Sequence, residues 1–161
     1  MDRNKQAFDP AAAEAIAARL KDQPGALMLI LHEVQDRFGC VPRECVPAIA
    51  QVLNLSRAEV HGVVTFYHDF RAQPPGRNLI RLCRAESCQA MGAVALAEHV
   101  SGRLGVGFGE TTRDGNFTLE AVYCLGNCGC SPAMVLNDEL HGRVSPARFD
   151  ELLAKHREGR R

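Results

Sequence analysis

The side chains most capable of chemistry crowd into positions 83–130. The stretch CLGNCGCSP, residues 124–132, puts Cys124, Cys128 and Cys130 on one short turn. Its glycines and proline exclude the middle of a helix or strand. Upstream, Cys83 and Cys88 form a C-x4-C pair, and Cys124 and Cys128 form a C-x3-C pair. Thiols gathered in this way can make a disulfide, a zinc site, a redox pair or an iron–sulfur cluster.

The cellular setting narrows these choices. The N-terminal MDRNKQAFDP is polar and lacks the apolar segment of a signal peptide. No apolar run approaches the roughly 20 residues that span a bilayer. A cytoplasmic protein without a membrane segment is expected. Thiols stay reduced there, so a cluster of them points to metal or redox chemistry. The cysteine count of seven is odd, which also argues against a purely disulfide framework.

Four sulfur ligands suit either zinc or an iron–sulfur centre. Zinc ribbons commonly use tighter C-x2-C knuckles, because a single ion needs its ligands close together. The longer spacings here favour a two-iron core and leave zinc open. Plant-type ferredoxins also use a C-x4-C element, with different companions. Such a core is negatively charged and needs N–H donors and a positive field. Gly126 and Gly129 are expected to let backbone amides approach the sulfurs. A helix after Cys88 would present its positive N-terminal end, and Arg84 adjoins Cys83. No histidine stands at ligand spacing, which argues against a Rieske-type centre.

The elements that must position these thiols fall into two parts. Asp9-Pro10 reads as an N-cap followed by proline at the first helical position. Further helices are expected from Pro24 to Gly39, from about Pro42, and from Ser56, where SRAE is a capping box. Pro74-Pro75-Gly76 marks a boundary. Beyond it, residues 78–83 and 117–124 read as strands, 89–102 as a helix, and 133–137 with 140–144 as a hairpin across Asp138-Glu139. Ser145-Pro146 caps a last helix. If the strands ending at Cys83 and Cys124 are neighbours, both cysteine loops open at the same end of one sheet, and four thiolates converge on one point.

HGVVTFYHDFRAQ (61–73), CRAESCQAMGA (83–93) and CLGNCGCSPAMVLN (124–137) resemble the thioredoxin-like [2Fe–2S] subunit of NADH-linked complexes. That family includes the 24-kDa subunit of respiratory complex I, a subunit of NAD-reducing hydrogenases and the gamma subunit of NAD-dependent formate dehydrogenases. The resemblance covers nearly the whole chain. It implies an α+β chain: a helical bundle at 1–74, then a thioredoxin-like [2Fe–2S] domain at 75–161. It assigns one [2Fe–2S] cluster to Cys83, Cys88, Cys124 and Cys128, and no catalytic residue to this chain. CRAESC, GNCGCSPAM and GRVSPARFDELL look most like the formate dehydrogenase gamma subunit. That placement implies a partner subunit carrying FMN, the NAD site and further iron–sulfur clusters, and a molybdenum-containing subunit that oxidises formate. The equivalent subunit of complex I or of a hydrogenase is the alternative within the class. Outside it stand a structural zinc interaction module and a thiol–disulfide oxidoreductase, although no C-x-x-C pair follows a strand and opens a helix.

Other features read as structural. Cys40 and Cys45 repeat the C-x4-C spacing, but Cys45 lies on an apolar helical face and reads as a small buried hydrophobe. Cys130 reads as a spare thiol. GVGFGE (105–110) fails as a dinucleotide fingerprint, because its third glycine is misplaced and no strand-to-helix turn frames it. The histidines at 32, 61, 68, 99, 141 and 156 are scattered. The 161 residues carry zero formal net charge, with 46% hydrophobic and 24% charged side chains. Nucleic-acid binding normally needs a basic surplus, so that class is excluded.

Overall fold

The Asp9 carboxylate accepts a hydrogen bond from Ala11 N–H at 3.0 Å, and Pro10 opens the first helix, α1 (Pro10–Leu20). An N-cap oxygen of this kind satisfies an amide that the helix itself cannot. Helix α2 (Ala26–Phe38) ends at Gly39, whose φ of 84° lies in the left-handed region that favours glycine. A single 3₁₀ turn (Arg43–Cys45) precedes α3 (Val46–Leu53), so regular helix begins later than the expected start near Pro42. The capping box at Ser56 is complete: Glu59 N–H donates to Ser56 Oγ, and Ser56 N–H donates to the Glu59 carboxylate. It starts α4 (Arg57–Phe66).

The structure is a computed structural model that describes residues 8–158. The chain divides into two units, Met1–Pro74 and Pro75–Arg161. In the first, Ile16, Ile30, Leu31, Val34, Ile49 and Val60 form a closed core with Cys45 among them. The Gln35 side chain ties the end of the unit down by donating to Asp69 O and accepting from Arg71 N–H.

The second unit is built on a five-stranded mixed sheet. Its strands are β1 (Asn78–Cys83), β2 (Glu110–Thr111), β3 (Phe117–Val122), β4 (Met134–Leu136) and β5 (Glu139–His141), in the order β2-β3-β1-β4-β5. Strands β1 and β3 are parallel, with Cys83 opposite Val122; the other pairings are antiparallel. A parallel neighbour requires a crossover. Here it is supplied by α5 (Glu86–Ala90) and α6 (Ala93–Leu104), and the final helix α7 (Pro146–Glu158) follows β5. Ile80, Leu82, Phe117, Leu119, Met134 and Leu136 pack with Leu96, Val100, Phe149 and Leu152 of α6 and α7. Burying a side chain of this size contributes roughly 1.5–3 kcal/mol.

Three local expectations are corrected. The helix expected over 89–102 is two helices, because Gly92 adopts φ 94° and breaks the run. The hairpin turns at Asn137-Asp138, one residue early, with Asn137 at φ 60°. The loop read from GVGFGE contributes its last residue to β2, too short and too exposed to leave a period in the sequence. Among the described residues no helix is long and apolar enough to cross a membrane.

Candidate metal centre

The parallel pairing of β1 and β3 determines where the thiols meet. Cys83 is the last residue of β1, and Cys124 lies two positions beyond the end of β3. Both loops therefore leave the same edge of the sheet. Cys83 N–H donates to Ala133 O, and Arg84 N–H donates to Val122 O at 2.8 Å, so the pairing continues past the strand end. Cys88 sits inside α5, not just before a helix as the sequence suggested. With Cys83, Ala93 and Ala133 it forms a small apolar cluster of its own, with Val122 and Leu125 packed against it.

The thiols come as two pairs of different character. Cys83 and Cys88 are buried; Cys124 and Cys128 are exposed. Burial pushes the Cys83 thiol above its ordinary value, and the neighbouring Cys88 adds to the rise. Burial also opposes ionisation of Cys88, but hydrogen bonds from Ser131, the Ala133 backbone and Cys83 outweigh it and hold Cys88 below the usual thiol range. Cys128 is raised first by the adjoining Cys124, and also by the charges of Cys88 and Cys83. All four thiols are thus electrostatic neighbours. Cys124 Sγ and Cys128 Sγ stand 3.8 Å apart. Two ligands on one tetrahedral metal with bonds of about 2.3 Å would lie about 3.8 Å apart, so this pair is already at chelating distance.

Among the described residues no three histidine, cysteine, aspartate or glutamate side chains surround one point as a single ion requires. The four thiols stand as two pairs, Cys83 with Cys88 and Cys124 with Cys128. Four thiols arranged as two pairs would suit a two-iron core. The backbone is shaped for sulfur ligation: Gly126, at φ 73°, points its N–H at Cys124 Sγ from 3.3 Å. Cys124 itself adopts φ 129°, an uncommon conformation for a residue with a side chain.

Other expected contributors differ. A Cβ on Gly129 would meet open space. The Arg84 guanidinium lies over the Phe108 ring, 5.0 Å from its centroid. Cys130 is partly exposed, in the same 3₁₀ turn as Cys128 (Cys128–Cys130). Cys40 and Cys45 are both buried. Desolvation pushes the Cys45 pKa up to about 12, and its thiol donates to Pro42 O at 2.9 Å, which suits a neutral core residue.

Four residues escaped the sequence reading. Ser87 and Ser131 place their hydroxyls beside Cys88 and the Cys128 carbonyl. Gly142 and Asn127 pack the β5 end against the second cysteine loop: a Cβ on Gly142 would lie 2.7 Å from Cys130 Cβ and 2.8 Å from Asn127 Nδ2. A serine before a proline reads as turn punctuation, and a close approach across the sheet edge leaves no local signal.

Known proteins resemble this chain along most of its length. The family model of the thioredoxin-like [2Fe–2S] ferredoxins matches residues 13–157. A subunit of the NADH-quinone oxidoreductase of Rhizobium meliloti (strain 1021) is 40% identical over 148 residues, covering 92% of this chain and 88% of that protein. The HndA subunit of the NADP-reducing hydrogenase of Solidesulfovibrio fructosivorans is 30% identical over 137 residues, covering 85% and 80%. Among solved structures, an NAD+-reducing [NiFe]-hydrogenase in the air-oxidized state contains a similar fold, with a TM-score of 0.71 at 24% identity. That match covers 89% of this chain and 24% of the longer hydrogenase chain.

Proposed function

Because this chain belongs to the thioredoxin-like [2Fe–2S] ferredoxin family, we propose that it is an electron-transfer subunit whose single [2Fe–2S] cluster is held by Cys83, Cys88, Cys124 and Cys128. The observation that carries this reading is the pair of cysteine loops at one end of two parallel strands, with Cys124 and Cys128 already 3.8 Å apart. The cluster supplies one-electron chemistry. The chain supplies four thiolates, an amide at one of them and an apolar pocket around the buried pair. Burial and hydrogen bonds of this kind set a cluster's potential. The chain is proposed to bind no substrate of its own.

Such a subunit works beside others. The similarity to subunits of an NADH-quinone oxidoreductase and a hydrogenase supports a cytoplasmic, multisubunit, NAD-linked oxidoreductase with a flavoprotein partner that carries FMN and the NAD site. Within that class, we place the chain as the gamma subunit of a molybdenum-containing formate dehydrogenase, supported by CRAESC, GNCGCSPAM and GRVSPARFDELL. The second reading, a complex I or hydrogenase subunit, is favoured by the names of the relatives just described. Residues 1–74 act as a helical docking domain and 75–161 as the cluster domain.

The test starts with anaerobically purified protein. Two irons and two sulfides per chain, with visible bands that bleach on dithionite, support the cluster. One zinc and no colour would leave only a structural module. Purification of the native complex then separates the parents: molybdenum with formate oxidation supports the formate dehydrogenase, and nickel or quinone reduction supports the alternatives. A complex that assembles intact without residues 1–74 would count against the docking role.

A further inference from the structure

We propose that Ser131 is a positioning residue that raises the reduction potential of this centre by donating its hydroxyl proton to the Cys88 sulfur, with Ser87 freeing it to do so. The proposal rests on Cys88 being a cluster ligand.

Ser131 is buried, at 6% exposure, with its hydroxyl against the buried Cys88 thiol. Its Oγ has three polar neighbours: Cys88 Sγ at 3.4 Å, Ser87 Oγ at 3.0 Å and Cys128 O at 2.9 Å. A serine hydroxyl has one proton to give and two lone pairs. While Cys88 is a thiol, it donates to Ser131, and Ser131 donates to the Cys128 carbonyl. A metal-bound thiolate has no proton, so the Cys88–Ser131 contact survives only if Ser131 becomes the donor. The Cys128 carbonyl then needs another partner, and Ser87 Oγ stands 3.3 Å from it. The two hydroxyls can reverse their direction without any heavy atom moving far.

The energetic consequence follows from burial. Cys124 and Cys128 are exposed, and water can serve their sulfurs. Cys88 is 2% exposed, so a hydroxyl there acts without competition from solvent. An added electron makes the thiolate a better acceptor. The hydrogen bond is therefore stronger in the reduced state, and removing it favours the oxidised one.

The experiment uses the full chain loaded with its cluster. Ser131→Ala, Ser131→Thr and Ser87→Ala are compared with wild type by redox titration, by iron and sulfide content, and by resonance Raman in H2O and D2O. Ser131→Ala is expected to shift the midpoint to a more negative value at unchanged iron content. Ser131→Thr restores the wild-type value, and Ser87→Ala shifts part of the way in the same direction. Wild type should show a solvent-deuterium shift of its iron–sulfur stretching bands that Ser131→Ala diminishes. A fully loaded Ser131→Ala with the wild-type potential overturns the proposal. So does a Ser131→Thr displaced as far as Ser131→Ala, or a wild-type protein whose bands ignore deuterium, a result that needs no variant. A wild type that binds no iron and sulfide would remove the ligand reading itself, which the iron content separates from a failure of Ser131 alone.

Discussion

A single methyl group at Gly142 should loosen the second cysteine loop, while one at Gly129, inside that loop, should not. The Gly142 Cβ would meet Cys130 Cβ at 2.7 Å, Asn127 Nδ2 at 2.8 Å and Cys130 O at 2.9 Å. Carbon contacts settle at about 3.5–4.0 Å, so Cys130 must retreat by roughly 0.8–1.3 Å. The Asn127 amide can swing aside, but the Cys130 backbone cannot. Its carbonyl already accepts Arg143 N–H at 2.6 Å, and its N–H donates to Asn127 O at 3.0 Å. Overpacking of this kind costs about 1–3 kcal/mol, and a weakened hydrogen bond about 1 more. At about 4–8 °C per kcal/mol for a unit of this size, the melting temperature of Gly142→Ala should fall by about 10 °C or more. Cys128 shares the turn, and a ligand site tolerates displacement of only about 0.5 Å, so iron loading should fall too. A Cβ on Gly129 meets nothing within 4 Å, and Gly129 is not among the glycines at positive φ. Gly129→Ala should change stability by less than about 0.5 kcal/mol and load fully. The assay is differential scanning calorimetry with iron and sulfide analysis of both variants. A Gly142→Ala that melts with wild type and holds full iron would refute the clamping argument, as would equal damage in Gly129→Ala.

Other outcomes follow from the same contacts. Cys130→Ala should keep two irons per chain, while Cys128→Ala should lose cluster colour; the reverse pattern in absorbance would move the fourth ligand to Cys130. Burial holds Cys45 near a pKa of about 12 against 9.0 for an ordinary thiol. Its contribution is therefore complete below pH 9 and is lost as pH rises toward 12, by about 2 kcal/mol at about pH 10.5. Denaturant titrations should show Cys45→Ala with a flatter alkaline limb. Partial burial opposes ionisation of Asp150, but hydrogen bonds from His99 and Arg103 outweigh it and lower its pKa from 3.8. That contribution is present above the unfolded value and disappears as pH falls through the folded one, so Asp150→Asn should flatten the stability profile below about pH 4. Ser56→Ala removes one arm of the α4 capping box and should cost about 1 kcal/mol in chemical denaturation.

Much of the scaffold was legible because its signals are local. Asp9-Pro10, SRAE and Ser145-Pro146 each state a helix start within a few residues, and Gly39 states a stop. The extent of β1 is legible in residues 78–83 as a short, largely apolar run that follows the Pro74-Pro75-Gly76 break. Cysteine spacing marks the candidate ligands. The break at Gly92 is hidden in the sequence because the alanine-rich run around it has strong helix propensity, and a single glycine does not always end a helix. Distances across the sheet edge were beyond reach. Nothing near Ser131 in sequence announces Cys88, and nothing near Gly142 announces Cys130.

With the proposed ligands, the parallel pairing of β1 and β3 would make the cluster a staple as well as a redox group. Cys83 and Cys124 lie about 40 positions apart along the chain, and under the proposed ligation a bond network joining them would close that whole loop. By the entropy of constraining an unfolded chain, a crosslink of this span is worth about 4 kcal/mol, comparable to a disulfide. The crossover through α5 and α6 is the segment enclosed. Loss of iron would therefore release the central strand pair of the sheet, and the state of the metal would be felt in how long the protein survives as well as in how it carries electrons.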